Sequence, residues 1–322
     1  MKAILFETVG GPEVLQLGEA PIPELRPRKV LIKNQAIGIN FADTRFRQGQ
    51  YVMQPRLPDT PGLEAAGVVE AVGEGVGHIA PGTRVAAIGM RTYAEYALVS
   101  ADQVMPLPDS VSFEQGAAFP IQTLTAYHLL HTCHQTSPGQ TVLVHSAAGG
   151  VGIVAMQIAK AAGARVIGTV SSDAKVALAQ EYGADAVINY ESQDFAEEAK
   201  QLTDGKGVDL ILDAVGQPTF AAGLTCLAPF GHAILYGQAG GAPEPLNVFG
   251  LFQNSLKVSC FGLYTASAIP ELHQKGITES FRLMEEGKLK LLVGKSYPLA
   301  EAAEAHRFME SRQSVGKLIL TP

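Results

Sequence analysis

The sequence predicts an α/β protein in which a doubly wound parallel sheet accompanies a smaller β-barrel-like domain. The chain has 322 residues, 47% of them hydrophobic and 17% charged, which is enough apolar material for about two globular cores. Up to about residue 120, short β-like runs alternate with Gly- and Pro-rich turns. From residue 140 onward, strand-like and helical segments alternate, which is typical of a parallel sheet covered by helices.

The first part of the chain is predicted to be a compact set of short strands. Val30–Ile32, Gly67–Val69 and Arg84–Ile88 are β-like runs, and turn signals such as Ala80-Pro81-Gly82 separate them. This spacing favours a barrel. The segment from Ser112 to Gln115 has the capping-box pattern, in which each side chain bonds the other residue's backbone N–H, so it predicts a helix start.

The second part begins with a strand, a helix and another strand. They are predicted at Thr141–His145, Val151–Ala162 and Ala164–Val170. Later elements are predicted as a helix at 174–182, strands at 186–188, 208–213 and 233–236, a helix at 299–311 and a strand at 317–320. The alternation predicts parallel strands joined by crossover helices.

Composition and charge exclude several classes of protein. The formal net charge is −7 and no run of Lys or Arg is present, which argues against a dedicated nucleic-acid binder. No segment has the roughly 20 apolar residues of a membrane span, and the N-terminus has the pattern of a strand, not of a signal peptide. Cys133, Cys226 and Cys260 are far apart and odd in number, so we expect thiols and a cytoplasmic protein.

A small-residue turn follows the strand Thr141–His145 and opens the next helix. Its spacing, Ala147-x-Gly149-x-x-Gly152, is a dinucleotide fingerprint with Ala in place of the first Gly. Small residues let the backbone approach a pyrophosphate, and N–H groups at a helix start favour an anion. The alternative is a turn selected for packing alone. The context favours a nucleotide site formed by Ala147, Gly149, Gly150, Val151 and Gly152.

The end of the second strand selects the cofactor. An NAD site usually carries an acid there for the ribose 2′-hydroxyl, but this strand ends in Ser171 and Ser172, with Lys175 one turn later. Two hydroxyls and an ammonium suit a 2′-phosphate, so the sequence predicts NADPH. Ser172 has the alternative role of an N-cap, and Asp173 that of a negative charge in the first turn of a helix.

Two further sets of residues are candidates for metal binding or acid–base chemistry. His128, His131 and His134 recur every three residues, but no thiol or carboxylate completes a zinc set, so we interpret them as structural. The polar candidates of the first domain are Asn40, Asp43, Arg45, Tyr51 and Glu64. Tyr51 is a candidate to hydrogen-bond a carbonyl oxygen as hydride arrives. The alternatives are a rim aromatic for Tyr51 and barrel hydrogen-bonding groups for Asp43 and Glu64.

The glycine turn and its helix resemble a signature of the medium-chain dehydrogenases/reductases, in the quinone oxidoreductase and zeta-crystallin branch. The matching segment is Gly139-Gln140-x-x-Leu143-x-x-x-Ala147-Ala148-Gly149-Gly150-x-Gly152-x-x-x-x-Gln157-x-x-Lys160. The resemblance extends to residues 1–4, 38–43, 61–67, 93–96 and 187–190. It implies a GroES-like barrel of residues 1–122 and 263–322, with a Rossmann domain of residues 123–262 inserted. It also implies that nicotinamide and substrate bind in the cleft between these domains.

The resemblance implies roles for particular residues. With the polar candidates above, it makes Tyr51, Asn40, Asp43 and Arg45 the catalytic candidates. It places Asn40 on the nicotinamide side, Thr125 against the cofactor, Gly237 near the nicotinamide ribose, and Lys175, Tyr190 and Arg312 at the 2′-phosphate. Zinc-dependent relatives have His at Leu63 and Cys before Asp43, so we expect no metal. The resemblance also implies a homodimer, in which an edge strand near 256–261 pairs across a two-fold axis.

The implied activity is NADPH-dependent, zinc-independent hydride transfer to a quinone or a related activated carbonyl compound. An electron-poor quinone needs little electrophilic help. Candidates for an apolar pocket wall are Phe41, Phe46, Tyr51 and Met53, and the alternative for these four is the barrel core. One rival is a 2-alkenal, enone or enoyl-thioester reductase, in which Arg45, Arg47 and Arg56 steer an anionic substrate; the alternative for these arginines is a solvated loop. Another is a non-catalytic NADPH-binding or RNA-binding protein.

Overall fold

The computed structural model describes residues 1–322, and the chain forms two compact units. The first unit comprises residues 1–122 and 291–322, and the second comprises residues 123–290. The sequence predicts the second boundary after residue 262, whereas the structure assigns residues 263–290 to the second unit. The reason is close helix packing, since a Cβ atom on Gly276 would lie 2.9 Å from His128 Nε2 and 3.2 Å from Leu124.

Fifteen strands form three sheets. The strands are β1 (Lys2–Leu5), β2 (Gln16–Glu19), β3 (Lys29–Ile39), β4 (Glu64–Val72), β5 (Arg84–Ile88), β6 (Tyr96–Ser100), β7 (Val104–Pro106), β8 (Thr141–Val144), β9 (Arg165–Val170), β10 (Ala186–Asn189), β11 (Val208–Asp213), β12 (Leu227–Leu235), β13 (Lys257–Cys260), β14 (Val293–Pro298) and β15 (Lys317–Thr321). The first unit has a β1-β2 sheet and a sheet in the order β14-β15-β3-β4-β5-β7, where β6 also pairs with β3. The last strand, β15, therefore lies antiparallel beside the long strand β3.

Ten α-helices accompany the strands. They are α1 (Phe41–Arg47), α2 (Phe113–Ala117), α3 (Pro120–His128), α4 (Gly150–Ala161), α5 (Val176–Glu181), α6 (Phe195–Leu202), α7 (Phe220–Thr225), α8 (Leu263–Ser267), α9 (Pro270–Glu285) and α10 (Ala302–Glu310). The predicted capping box starts α2: Gln115 N donates to Ser112 Oγ at 3.2 Å, and Ser112 N donates to Gln115 Oε1 at 3.0 Å. No helix has both the length and the hydropathy needed to cross a lipid bilayer.

The second unit contains a six-stranded, fully parallel sheet in the order β10-β9-β8-β11-β12-β13. The order reverses between β8 and β11, and ligands of such sheets bind outside the carboxyl ends of the strands at this switch point. Four neighbouring strands each contribute an apolar side chain to one core cluster, namely Leu143, Ile167, Ile188 and Ile211. The predicted doubly wound parallel sheet is confirmed.

Two predicted elements have different limits in the structure. Strand β12 begins at Leu227 instead of Ala233. Its Pro and Gly indicate a turn in the sequence, but Phe230 adopts a φ of 65° and a register shift against β11 absorbs the extra residues. The helix predicted at 174–182 consists of a 3₁₀ turn, Asp173–Lys175, followed by α5.

Candidate functional site

The small-residue turn lies at the switch point, between β8 and α4. Ser146 has a left-handed φ of 55°, and Gly149 is the N-cap of α4 without any side-chain capping bond. A Cβ atom on Gly152 would lie 2.3 Å from Ser146 O, so this position requires glycine. The first N–H groups of α4, at Gly150 and Val151, thus lie uncapped at a helix N-terminus, an arrangement that suits a phosphate.

A buried carboxylate, Asp213, ends β11, the strand next to β8, and the sequence did not predict its role. Its oxygens accept hydrogen bonds from Val215 N at 2.7 Å and from Thr219 Oγ1 at 2.9 Å. A Cβ atom on Gly237, after β12, would lie 2.7 Å from Ala214 O. Asp213 therefore fixes the loop on which the predicted Gly237 packs. The sequence contains one signal for the role of Asp213, namely an acidic residue at the end of an apolar strand.

The predicted 2′-phosphate residues lie at the carboxyl end of β9. Ser171 and Ser172 are half-buried, and Ser172 precedes the 3₁₀ turn without a side-chain capping bond. Partial burial lowers the pKa of Lys175 on the same turn. The carboxylate of Asp173 is bound by β10, since its Oδ1 accepts a hydrogen bond from Asn189 Nδ2 at 2.7 Å. Asn189 therefore holds this carboxylate against β10, although the amide is neutral and the negative charge of Asp173 remains.

Three other predicted cofactor residues lie on separate elements. Thr125 is a buried residue of α3, and Tyr190 follows β10 and packs against the core cluster of the parallel sheet. Arg312 belongs to the first unit, where it follows α10 with a left-handed φ of 60°. Their roles in cofactor binding stay predictions.

A buried cluster of charged and amide groups lies at the start of α1 in the first unit. Asn40 Nδ2 donates to Glu64 Oε1 at 2.7 Å, and Lys317 Nζ donates to Asn40 Oδ1 at 2.7 Å and also to Glu64 Oε1. The second carboxylate oxygen, Oε2, accepts from Ile121 N at 2.7 Å. The structure thus joins two predicted polar candidates to Lys317, which the sequence missed because it opens an apolar C-terminal strand.

A chain of hydrogen bonds connects Arg47 to Asp43. Arg47 Nη1 can only donate, so His306 Nδ1 accepts at 3.1 Å and the imidazole proton lies on Nε2. That Nε2–H donates to Tyr93 Oη at 3.0 Å, and Tyr93 donates to Asp43 Oδ2 at 3.2 Å. Asp43 Oδ2 also accepts from Asn40 N at 2.8 Å, which caps α1. Tyr93 and His306 are further residues that the sequence did not predict.

Burial controls the ionisation of the side chains in this hydrogen-bonded series. It raises the pKa of Asp43 to about 7, although the hydrogen bond from Asn40 N acts in the opposite direction. Burial and the nearby Arg47 lower the pKa of His306 to about 3, so its imidazole is neutral at physiological pH. Burial and Asp43 together raise the pKa of Tyr93 well above its usual value. Of these three side chains, Asp43 is the one that titrates near neutral pH.

The catalytic candidates Arg45 and Tyr51 lie on and just after α1. Arg45 Nη1 donates to Gln48 Oε1 at 3.3 Å and to Gln50 Oε1 at 2.7 Å, and its guanidinium lies 5.4 Å from the ring centroid of Phe41. Tyr51 is half-buried and packs against the core of the first unit. Their catalytic roles stay predictions.

A pocket of about 420 Å³ lies in the first unit. Its lining residues are Phe46, Met53, Gln54, Arg56, Asp59, Met90 and Arg91. Two of the four predicted apolar wall residues, Phe46 and Met53, thus line it. Arg91 Nε is paired with Asp59 Oδ1 at 2.6 Å, whereas the guanidinium of Arg56 has no carboxylate partner.

Comparison with known proteins shows relatives along the whole chain. Residues 26–109 match the alcohol dehydrogenase GroES-like domain, and residues 150–277 match zinc-binding dehydrogenase. Quinone oxidoreductase of Pseudomonas aeruginosa is 40% identical, covering 100% of this chain and 99% of the relative. The crystal structure of Escherichia coli quinone oxidoreductase complexed with NADPH has a TM-score of 0.96 and 39% identity, covering 100% of both chains. The 2-haloacrylate reductase of a Burkholderia species is 35% identical, covering 99% of this chain and 98% of the relative.

The chain belongs to the medium-chain dehydrogenases/reductases, in the quinone oxidoreductase branch. The family that the sequence resembles is therefore confirmed. The fold is confirmed as well, with a GroES-like domain and a Rossmann-type parallel sheet.

Residues 150–277 match a family described as zinc-binding dehydrogenase, but the side chains of this protein do not form a zinc site. No group of three or more His, Cys, Asp or Glu side chains could hold a metal ion, and this includes the three histidines at 128, 131 and 134. In the buried cluster, Glu64 is preceded by Leu63 and bound by Lys317 Nζ, an ammonium without a lone pair. The side chains of this cluster bind one another and leave no metal site.

Proposed function

We propose that the protein transfers a hydride from NADPH to a quinone. The observation that carries this proposal is the uncapped α4 N-terminus at Gly149–Gly152, in a chain 40% identical over its full length to a quinone oxidoreductase. The required glycine at 152 and the switch-point position support a pyrophosphate site. When bound, NADPH supplies the hydride.

The residues of the second unit suit NADPH better than NADH. Two serine hydroxyls and Lys175 follow β9, where an NAD site would have an acid. The E. coli relative, whose structure holds NADPH, supports the same cofactor. We propose that the cofactor is held by Ala147, Gly149, Gly150, Val151, Gly152, Ser171, Ser172, Lys175, Tyr190, Thr125 and Gly237, and that Arg312 and Asn40 add contacts to the 2′-phosphate and the nicotinamide.

The first unit would supply orientation and a proton. Asn40 offers a side-chain amide whose two ends are bound by Glu64 and Lys317. Asp43 holds the same residue through its backbone N–H. A proton is needed at the substrate oxygen after hydride arrives, and the Tyr51 phenol or water would donate it. Because quinones are electron-poor, this arrangement would need no metal ion.

The test is the initial rate of NADPH oxidation, compared with NADH, using 1,4-benzoquinone and a bulkier ortho-quinone with and without a chelator. We expect chelator-insensitive turnover that prefers NADPH, because the 2′-phosphate has an ammonium and hydroxyls to bind. Tight NADPH binding without quinone turnover would contradict the proposal and favour reduction of an activated alkene.

A second candidate function is reduction of an α,β-unsaturated carboxylate. Of the three arginines predicted to steer an anion, Arg47 is buried and paired with Glu310, and Arg45 is bonded to glutamines. Arg56 alone of the three lines the pocket, and its charge has no carboxylate partner. One relative with 35% identity is named 2-haloacrylate reductase, and a haloacrylate is an anion of this kind.

The second candidate is tested with 2-chloroacrylate as substrate and the Arg56→Met variant. We expect Arg56→Met to raise KM for the carboxylate about tenfold, since a charge-assisted bond is lost, and to leave KM for neutral benzoquinone within about twofold. Arg26→Met, at an exposed arginine, is the matched control. No turnover of the carboxylate by the wild type would eliminate this function.

We also propose that the protein is a cytoplasmic homodimer. Strand β13 forms an edge of the parallel sheet, and Phe249 and Phe252, which precede it in the chain, are 80% and 76% exposed with stacked rings 5.6 Å apart. Exposed apolar area next to a free strand edge is typical of an interface. The cytoplasmic location is supported by three free thiols.

A further inference from the structure

Lys317 supplies the positive charge of a fully buried site. Glu64 is 0% exposed and Lys317 is 3% exposed, and the ammonium binds one oxygen of the carboxylate directly. Burying a carboxylate without a cation is costly, so Glu64 needs such a partner. A metal ion could meet that need, but the residues here do not fit one. The last strand of the chain brings an ammonium instead.

The same ammonium fixes the amide of Asn40. Its Oδ1 meets a donor-only group, Lys317 Nζ, and its Nδ2 meets an acceptor-only carboxylate oxygen of Glu64, each at 2.7 Å. Rotating the amide by 180° would place donor against donor and acceptor against acceptor. Both partners therefore favour the same orientation, and Lys317 supplies the bond to Oδ1.

We propose that Lys317 is a positioning residue that balances the buried charge of Glu64 and holds the Asn40 amide in a single orientation. Lys317 itself is too buried to meet a substrate, so it acts through Asn40. Its effect on turnover rests on the proposed function, in which Asn40 contacts nicotinamide. Its effect on the amide does not depend on that function.

The test compares Lys317→Met with Lys33→Met, which removes an exposed lysine of β3. Lys317→Met keeps the side-chain length but loses the charge and the donor. We expect kcat to fall about tenfold or more with NADPH affinity within about twofold, because misplaced groups slow the chemical step. Lys33→Met should match the wild type. Unchanged kcat in Lys317→Met, in an enzyme that reduces quinones, would overturn the positioning role.

A second measurement does not rely on activity. In protein labelled with ¹⁵N-asparagine, the Asn40 side-chain NH₂ resonances, assigned with Asn40→Asp, should be sharp and protected from exchange in the wild type. We expect them to shift and exchange faster in Lys317→Met. Identical Asn40 resonances in both proteins would refute the inference, even if the wild type proved inactive toward quinones.

The double variant Glu64→Gln/Lys317→Met separates charge balance from orientation. It leaves no unpaired buried charge, so the thermal midpoint lost in Lys317→Met should largely return. The Asn40 resonances should stay displaced, because no ammonium binds Oδ1. Return of the wild-type resonances in the double variant would show that the ammonium does not set the orientation.

Equilibrium dialysis against zinc tests whether the buried cluster binds a metal ion. The wild type should retain no stoichiometric zinc, since Lys317 occupies the carboxylate. One equivalent of zinc on the wild type that is lost in Glu64→Gln would overturn the inference.

Discussion

The turn at Gly152 has no room for a side chain. A Cβ atom there would lie 2.3 Å from Ser146 O and 2.9 Å from Ala147 Cα, so the turn must open to admit it. We expect Gly152→Ala to weaken NADPH binding about tenfold or more, as the phosphate-facing backbone shifts. Fluorescence titration measures this, with Gly77→Ala, which has open space around it, as the control. Equal affinities for NADPH would show that this turn does not bind the pyrophosphate.

Because the pKa of Asp43 is raised, the free energy of unfolding falls as the pH rises. Most carboxylates in folded proteins have the opposite effect. The pKa of Asp43 is raised to about 7 in the folded state from a usual value of 3.8, so its contribution is complete below pH 4 and is lost as pH rises to 7. Relative to Asp43→Asn, the wild type should lose about 2–3 kcal/mol of unfolding free energy between pH 5 and 7. Urea unfolding at each pH measures it. His306 is present in both proteins, so its opposite effect at acid pH cancels, and parallel pH curves would contradict the prediction.

At the scale of elements, the pairing of β3 with β4 makes room for the buried cluster. Gly38 lies opposite Glu64 in this pairing, and a Cβ atom there would lie 2.4 Å from Ala117 O and 2.6 Å from Glu64 Oε1. We expect Gly38→Ala to displace Glu64, to cost about 1–3 kcal/mol of stability and to lower kcat more than NADPH affinity. Chemical unfolding and steady-state rates test this against Gly262→Ala, where nothing lies within 4 Å. A variant as stable and active as the wild type would show that the strands adapt.

The elements also show what the sequence can and cannot predict. The β8–turn–α4 segment was predictable to within about one residue, because apolar runs and glycine spacing are local signals. The Lys317–Glu64 contact spans 253 residues and has no local signal, so it emerges only when β15 pairs with β3. Tyr93 and His306 were missed for the same reason, since they are 213 residues apart. The predicted boundary after residue 262 differs from the division after residue 290 in the structure. The packing of α9 on α3 causes this difference, and the sequence of α9 has no local signal for it.

At the scale of the whole molecule, the free edge of β13 bears on assembly. We expect the wild type to be a dimer and Phe252→Glu to be largely monomeric, because the variant buries a charge in an apolar contact. Light scattering after size-exclusion chromatography measures the mass. Ile22→Glu, at an exposed apolar residue of the first unit, is the control. A monomeric wild type, or a dimeric Phe252→Glu, would show that this edge is not the interface.

The pairing of β15 with β3 has a consequence for biosynthesis. The second unit is continuous in sequence, so its parallel sheet can form before residues 291–322 leave the ribosome. Until β15 arrives, β3 keeps an unpaired edge at Ile37–Ile39, and Glu64 lacks its ammonium. Nascent chains thus carry an aggregation-prone edge late into translation. Stalled or clipped chains of this protein should therefore depend on chaperones, whereas finished chains should not.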